Sequence, residues 1–268
     1  MRRTLTPGNA LLFTAACLFA LFIMLPVAAI VLRALGSGSW LQALGRPVAW
    51  EALRLSGVTT LLTLTLTLGL GTPVAWLLAR RHFPGKALLN SMIELPMVLP
   101  PAVAGIGLLM AFGRRGLLGP ALESAGITLG FTTAAVVLAQ AFVSAPFYVR
   151  AARAGFLAVD QELETVAHTL GVSYWATFWR VTAPVALPFL VSGAAMCWAR
   201  ALGEFGATIM FAGSFLGRTQ TMPLAIYTAL ESDLDSALAL SAILVVVSFV
   251  LLIGLRLGAG RLNGGAGA

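Results

Sequence analysis

Charged residues are scarce in this sequence of 268 residues. Asp, Glu, Lys and Arg make up 10% of the chain, whereas hydrophobic residues make up 59%. Because soluble domains carry about 25% charged residues, this composition excludes a soluble globular protein and indicates a polytopic membrane protein. The length suits about six spans of roughly 20 residues each.

Cysteine and histidine are also scarce, with two of each. Cys17 and Cys197 both fall within apolar runs, so neither a disulfide framework nor a metal site is expected. His82 and His168 stand alone in polar segments, which leaves a membrane enzyme or scaffold as the weakest of the function classes considered. The net charge of +7 comes from residues scattered between apolar runs, so it does not indicate a nucleic-acid partner.

The sequence lacks a phosphate-binding loop of the type G-x-x-x-x-G-K-[ST]. Its Gly85-Lys86 pair has Arg80 in place of the first Gly and Ala87 in place of Ser or Thr. If transport uses ATP, its hydrolysis must therefore come from another polypeptide.

Six apolar stretches are long enough to cross a bilayer. They cover residues 10–32, 56–78, 87–112, 131–149, 185–211 and 236–254. Arg2 and Arg3 precede a first stretch that is too long for a cleavable signal. The sequence therefore predicts an all-α membrane protein with one transmembrane domain over residues 1–268.

Lysine and arginine are distributed unequally between the two sides of the membrane. With the N-terminus inside, ten face the cytoplasm and six the outside, which favours this orientation with both termini cytoplasmic. The cytoplasmic set is Arg2, Arg3, Arg80, Arg81, Lys86, Arg150, Arg153, Arg180, Arg256 and Arg261. The outer set is Arg33, Arg46, Arg54, Arg114, Arg115 and Arg218.

The third predicted span is interrupted by Pro96, Pro100 and Pro101. Each proline removes a backbone donor, so a straight helix with a complete hydrogen-bond ladder is not expected. At membrane depth a broken helix is tolerated where it is buried in protein or lines a watery cavity. The three prolines are therefore candidates for the translocation path.

Arg200 and Glu204 are ionisable residues in the fifth predicted span. An ionisable side chain at the bilayer centre costs about 2.5–3.5 kcal/mol on insertion scales, so each needs a partner or a function. Spaced i and i+4 on one helix face, they either satisfy each other or line the path, where Arg200 would attract an anion. Thr208 adds a hydroxyl donor to this candidate path. Glu94, in the third span, lies near enough to the cytoplasmic end to reach the interface.

The segment 150–184 is polar and lies between the fourth and fifth spans. It is predicted to contain two short helices with a corner between them. Asp160 can cap the first helix, and Glu162 and Glu164 place negative charge where the helix dipole favours it. Gly171 can end this helix. Its apolar face is formed by residues at i, i+3, i+4 and i+7, namely Leu163, Val166, Ala167 and Leu170.

The second short helix of this segment can be capped by Ser173, and Pro184 fixes where the fifth span begins. Trp175, Phe178 and Trp179 fall on one side of it. One interpretation of the whole segment is an amphipathic loop that lies on the lipid surface. The other is a docking element for a cytoplasmic partner.

The pattern Ala167-x3-Gly171-x9-Val181-x2-Pro184 resembles the cytoplasmic EAA loop of permease subunits in ATP-binding-cassette importers. The resemblance implies that segment 150–184 is a coupling loop that docks in a groove of a separate ATPase subunit. Aligned on Gly171, the Glu-Ala-Ala of the family falls on Thr165, Val166 and Ala167, with Glu164 one residue earlier. The ATPase-coupling residues that it implies are Glu162, Glu164, Thr165, Ala167, Gly171 and Pro184.

Other runs resemble the molybdate-type permease subfamily, and the resemblance covers about residues 51–256. These runs are 83–89, 95–101, 113–116, 200–208 and 218–223. The resemblance implies a type I importer permease fold in a bacterial or archaeal plasma membrane. It also implies a homodimer, ATPase subunits that bind ATP and Mg, an extracytoplasmic oxyanion-binding protein and no cofactor on this chain. Molybdate is the expected substrate, with tungstate and sulfate as close competitors.

The leading hypothesis is alternating access driven by the ATPase through the coupling loop, with the broken third span and the fifth span repacking. The alternative is a secondary, proton-coupled anion transporter that uses Glu94 or Glu204 as its proton carrier. Secondary carriers are commonly built from repeated halves, and no internal repeat is evident here.

Overall fold

The computed structural model describes residues 7–38, 40 and 45–264, with side chains for 11–38, 40 and 45–254. Arg2 and Arg3, which entered the orientation count, lie outside the described residues, as do the side chains of Arg256 and Arg261. Every regular element in the described part is helical. The α-helices are α1 (Pro7–Ser37), α2 (Pro47–Arg80), α3 (Lys86–Glu94), α4 (Pro101–Phe112), α5 (Gly119–Ser124), α6 (Thr133–Ala158), α7 (Gln161–Thr169), α8 (Tyr174–Thr177), α9 (Ala183–Leu202), α10 (Gly206–Ala212), α11 (Met222–Leu230) and α12 (Leu234–Gly264).

Five of the described helical stretches are long and apolar enough to cross a membrane, and the number rises to six if α3 and α4 form one broken span. These stretches are Leu11–Ser37, Pro47–Arg80, Thr133–Ala158, Tyr174–Leu202 and Leu234–Gly254. The fourth of them joins α8 to α9 through a π turn, Phe178–Thr182. The architecture is thus all-α and polytopic.

Helix α6 lies at the centre of the bundle and packs most extensively against α9 and α2. Small residues allow this close approach. A Cβ placed on Gly193 of α9 would lie 2.7 Å from the Cβ of Ala151, and one on Gly155 would lie 2.6 Å from the Cβ of Phe189. Helices within a membrane associate through such small-residue contacts because lipid gives them little hydrophobic driving force.

Helix α2 presents a polar face to three neighbours. The hydroxyl of Ser56 accepts a hydrogen bond from the Met222 amide of α11 at 2.8 Å. That of Thr60 accepts one from the indole of Trp198 in α9 at 3.0 Å. Thr63 donates to the Gln140 side chain of α6 at 3.0 Å. Because these polar atoms are buried away from water, each bond fixes the register of α2 against a neighbouring helix.

The broken third span is confirmed. Its two halves, α3 and α4, are bent by 115°. A 3₁₀ turn over Leu95–Met97 follows α3, and Pro101 starts α4 at a position where a missing amide hydrogen costs nothing. Residues 87–112, which were predicted as one span, therefore form two short helices joined by a sharp bend.

Several helices extend beyond their predicted spans, and two of them matter for the site. The second predicted span, 56–78, is the middle of α2, which begins at Pro47 and continues its buried face through Ala49 and Ala52. The fourth, 131–149, is shorter than α6, which runs to Ala158. The first part of segment 150–184 is therefore helix rather than loop.

The predicted fifth span, 185–211, is wrong in its last third. Helix α9 ends at Leu202, and α10 is a separate short helix. At this end the Gly203 amide bonds to the Ala199 carbonyl at 3.3 Å, and the chain then turns. The mostly apolar sequence on both sides of Arg200 and Glu204 concealed this break, because apolar composition alone does not mark where a helix ends.

Candidate functional site

The coupling elbow, defined here as residues 160–182, contains the two short helices α7 and α8. Asp160 caps α7, since its carboxylate accepts a hydrogen bond from the Glu162 amide at 2.9 Å. Glu162 and Glu164 both lie in the first turn of α7. The predicted cap and the predicted charge placement are both confirmed, and they favour helix formation at this position.

Gly171 ends α7 in the left-handed region, with φ of +79°. Its amide donates to the His168 carbonyl at 3.0 Å, and the next amide, of Val172, donates to the Ala167 carbonyl at 3.0 Å. This paired arrangement is a Schellman motif, which glycine adopts without the strain that a Cβ introduces. The Ser173 hydroxyl then accepts from the Ala176 amide at 3.3 Å and caps α8, as predicted.

Glu164 makes the polar contacts that join the coupling elbow to the spans. Its Oε1 lies 3.0 Å from Nη2 of Arg80, at the end of α2, and accepts a 2.6 Å hydrogen bond from the Thr182 hydroxyl. Arg80 Nη2 also donates to the Val159 carbonyl at 3.0 Å. The side chains of Arg80 and Glu164 are only 7% and 17% exposed, so the ion pair is largely shielded from water.

Thr165, which aligns with the family's usual Glu, does not take part in this network. It is exposed, and its hydroxyl donates to the Gln161 carbonyl of its own helix at 3.0 Å. The position that aligns with the family's Glu and the residue that forms the ion pair thus differ by one residue. Neither Arg80 nor Thr182 was a candidate from the sequence, because each lies far along the chain from Glu164 and no local signal links them.

The coupling elbow leaves a set of large apolar side chains uncovered by the described part of the chain. The most exposed are Leu170, Tyr174 and Trp175, at 78%, 76% and 72%. The other members are Leu163, Val166 and Trp179. The predicted apolar face of α7 therefore does not pack on its own bundle, and a patch of this kind is typical of an interaction surface.

The prolines of the broken span occupy different environments. Pro96 is buried, whereas Pro100 and Pro101 are exposed on the described chain. Gly206, at the start of α10, packs on Pro101, where an added Cβ would approach the proline ring to 2.6 Å. The bend between α3 and α4 is thus braced by α10.

Arg200 and Glu204 form an ion pair with 2.7 Å between Nη1 and Oε2. Their pairing is as the sequence predicted, but the predicted shared helix face is wrong, because α9 ends at Leu202 and Glu204 follows it. The Glu204 side chain is 1% exposed, and its Oε1 accepts from the Ala207 amide in the first turn of α10 at 2.8 Å. Glu204 therefore satisfies both the arginine and a helix N-terminus.

Thr208 follows Ala207 in the first turn of α10 and is fully buried. Its hydroxyl has no hydrogen-bond partner in the described part of the chain, and the same is true of Thr221 before α11. Buried hydroxyls without partners are uncommon in folded proteins. The sequence predicted that the Thr208 hydroxyl could donate a hydrogen bond on the path, and this hydroxyl is not engaged by another described residue.

A family of transport proteins matches most of the chain. The model of the binding-protein-dependent transport system inner membrane component matches residues 71–262. The chain belongs to this family. The match includes the coupling elbow, the broken third span and the Arg200–Glu204 pair.

Curated members of the same group are similar over nearly their whole length. The molybdenum transport system permease protein ModB of Mycobacterium bovis is 46% identical over 233 residues, covering 87% of this chain and 88% of that protein. The probable transport system permease protein NifC of Clostridium pasteurianum is 39% identical, covering 92% and 86%. The probable sulfate transport system permease protein of Chlorokybus atmophyticus is 37% identical, covering 91% and 86%.

Solved structures show the same fold at low sequence identity. A bacterial ABC transporter that imports the acidic polysaccharide alginate matches with a TM-score of 0.75 at 14% identity, covering 94% of both chains. A methionine ABC transporter in inward-facing conformations matches with a TM-score of 0.58, covering 80% of this chain and 94% of that one. The chain therefore has the permease fold of ABC importers and is a membrane transport component rather than an enzyme.

The candidate site contains residues that act through local hydrogen bonds and residues that act through contacts between distant parts of the chain. Asp160, Gly171 and Ser173 shape the coupling elbow through local hydrogen bonds, and the sequence shows such signals directly. Glu164 acts through long-range contacts that only the fold reveals. Pro184 is exposed in the first turn of α9 and adds the helix start that the sequence predicted.

Proposed function

We propose that the chain is the membrane-spanning permease subunit of an ATP-driven importer for molybdate or a similar tetrahedral oxyanion. The observation that carries the substrate class is the 46% identity to a mycobacterial molybdenum permease over 87% of the chain. Sulfate is the second candidate, because sulfate permeases are 37% and 39% identical over much of their length.

The coupling elbow is the proposed docking site for an ATPase subunit that binds ATP and Mg. Its exposed apolar side chains, such as Leu170 and Trp175, offer the partner an area that this chain leaves bare. The Arg80–Glu164–Thr182 network ties the elbow to α2 and to the π turn before α9. A displacement of the elbow by the ATPase would therefore be transmitted to α2 and to α9 at the same time.

A second copy of this chain and an extracytoplasmic oxyanion-binding protein complete the proposed importer. A solved relative is an alginate transporter in complex with a pentasaccharide-bound periplasmic protein, which supports a partner of that kind here. Both termini and the coupling elbow are proposed to lie in the cytoplasm, as the distribution of Lys and Arg favours.

The proposed path runs beside the broken third span and the fifth span. Because Arg200 is already paired with Glu204, it offers an anion an attraction that is partly neutralised. Weak binding of this kind suits a conduit, since tight capture would block release. Thr208 contributes a hydroxyl donor without adding net charge.

Substitution of Gly171 tests the proposal. The Gly171→Val variant, assembled with its ATPase and binding protein in proteoliposomes, should lose ATP-dependent molybdate uptake. A β-branched residue at φ of +79° is strongly disfavoured, so the corner of the elbow would open. Membrane insertion should persist, because no described atom apart from those of its chain neighbours lies within 4 Å of the position of the added Cβ.

The Gly171→Asn variant is the matched control, because Asn tolerates the left-handed region, and it should retain most of the uptake. Unchanged uptake in the Gly171→Val variant would contradict the coupling role. Uptake that ignores ATP depletion and collapses with an uncoupler would instead support the proton-coupled alternative.

A further inference from the structure

An open cleft of about 800 Å³ lies beside the start of α3. It is at the same end of the bundle as the coupling elbow, because Arg80, two residues before its lining begins, contacts Glu164. Its polar lining comes from the turn after α2, from α3 and from α6: His82, Lys86, Asn90, Ser91 and Arg153. Among the described residues that line this space, two carry cationic side chains and none carries a carboxylate.

Arg153 is held in the cleft by a neutral group rather than by an acid. Its Nη1 donates to the Asn90 side-chain oxygen, and the Asn90 amide donates in turn to Glu94 at 3.1 Å. No carboxylate oxygen lies within 4 Å of Arg153 in the described part of the chain, and its Nε is buried without a partner. A positioned guanidinium whose charge is not neutralised is suited to bind an oxyanion.

The second cation, Lys86, is the first residue of α3. Its ammonium donates to the Arg81 carbonyl at 3.0 Å, which places it in the turn without neutralising it. Lys86 and Ala87, in the first turn of α3, both line the cleft, so the positive end of the helix dipole lies beside it. The exposed hydroxyl of Ser91, on the same helix, adds a neutral donor.

We propose that this cleft binds a tetrahedral oxyanion group through Arg153, Lys86 and Ser91. The group is either a free oxyanion or the phosphate of an anionic lipid headgroup, because both present the same oxygens to these donors. This site is separate from the proposed path residues Arg200, Glu204 and Thr208. Its placement on the cytoplasmic side rests on the proposed function, whereas the binding itself does not.

Two binding measurements distinguish the sources. In the first, the full chain is placed in phosphatidylcholine nanodiscs, and equilibrium binding of radiolabelled sulfate, molybdate and phosphate is measured. In the second, native mass spectrometry measures how much phosphatidylglycerol stays bound to the chain after mild delipidation, compared with phosphatidylcholine. Binding in the first assay assigns a free oxyanion, and selective retention in the second assigns a lipid phosphate.

The Arg153→Gln variant should weaken the binding observed by about tenfold or more, because a charge-assisted contact is lost. Arg150→Gln is the matched control. It removes the same charge from an exposed position one turn earlier on α6, outside the cleft, and should change binding by less than about twofold.

Lys86→Gln gives an independent test if the Arg153→Gln variant fails to fold, and it too should weaken binding by about tenfold. Equal losses in the Arg150→Gln and cleft variants would overturn the proposal, because they would indicate a diffuse charge effect. Absence of binding in both assays would overturn it as well. Uptake enters neither assay, so failure of the importer hypothesis is recognised separately.

Discussion

Arg80 is almost fully buried, yet it carries a charge that must be balanced within the fold. Glu164 balances it at 3.0 Å, and the Val159 carbonyl and the Thr182 hydroxyl complete the network. Removal of one partner from a buried ion pair leaves the other charge without compensation, which is far more costly than never having had the pair. The coupling elbow is therefore anchored by a contact that tolerates no single loss.

The Glu164→Ala variant should be destabilised by about 3 kcal/mol, because Arg80 is left buried without its counter-charge. Thermal unfolding of the purified protein measures this as a lower Tm. Glu162→Ala is the control, since Glu162 lies on the same helix, is exposed and should change stability by less than about 0.5 kcal/mol. Equal Tm values for the two variants would show that the ion pair has no energetic role.

The sequence alone predicted those features of this site that depend on contacts between residues close together in the chain. Asp160, Gly171 and Ser173 act on amides within a few residues of themselves, so their roles follow from residue type and spacing. The contact between Arg80 and Glu164 joins residues 84 positions apart, and only the packing of α2 against the elbow brings them together. No pattern in one sequence carries that information.

At the scale of whole elements, α4 and α10 approach each other as closely as their backbones permit. A Cβ on Gly105 would lie 2.7 Å from the Ala207 carbonyl oxygen and 2.7 Å from the Cβ of Met210. Gly107 lies two residues further along α4, where an added Cβ meets nothing within 4 Å. The two glycines of this helix thus have different roles.

The Gly105→Ala variant should be destabilised by about 1–3 kcal/mol, because the added methyl group forces α4 and α10 apart. The Gly107→Ala variant should be neutral or more stable by up to about 1 kcal/mol, since alanine favours a helix over glycine. Thermal unfolding of both variants under identical conditions tests this difference. Identical Tm values would mean that the contact between α4 and α10 is loose.

Element boundaries were only partly predictable. The bend between α3 and α4 follows from Pro96, Pro100 and Pro101, because proline has a defined effect on a helix. Helix α9 instead ends at Leu202, inside the predicted fifth span, and Glu204 just beyond it contacts Arg200 and the first turn of α10. The residues on either side of this turn are mostly apolar, and apolar composition does not mark where a helix ends.

At the scale of the whole molecule, the two ends of the bundle carry different surfaces. The coupling elbow and the cleft beside α3 share one end, and the connection after α4 carries exposed Arg114 and Arg115. The proposed orientation assigns the elbow to the cytoplasm and Arg115 to the outside. This assignment can be measured without any transport assay.

Labelling with a membrane-impermeant maleimide should resolve the orientation. In a Cys17→Ser, Cys197→Ser background, the Gln161→Cys variant should react in inverted membrane vesicles but not in intact cells. The Arg115→Cys variant should show the opposite pattern, and both positions are exposed in the described chain. A reversed pattern for the two variants would place the elbow outside and remove the basis for ATPase docking.

The exposed apolar side chains of the coupling elbow also have a consequence for the synthesis of this subunit in the cell. Under the proposed docking, a copy made without the ATPase subunit would expose large apolar side chains, Trp175 and Leu170 among them, to the aqueous compartment. Such a copy should be prone to aggregation and to degradation by quality-control proteases. The lifetime of the permease subunit should therefore depend on how much ATPase subunit is available to cover this surface. Balanced synthesis of the two proteins then follows from the exposed surface of the fold.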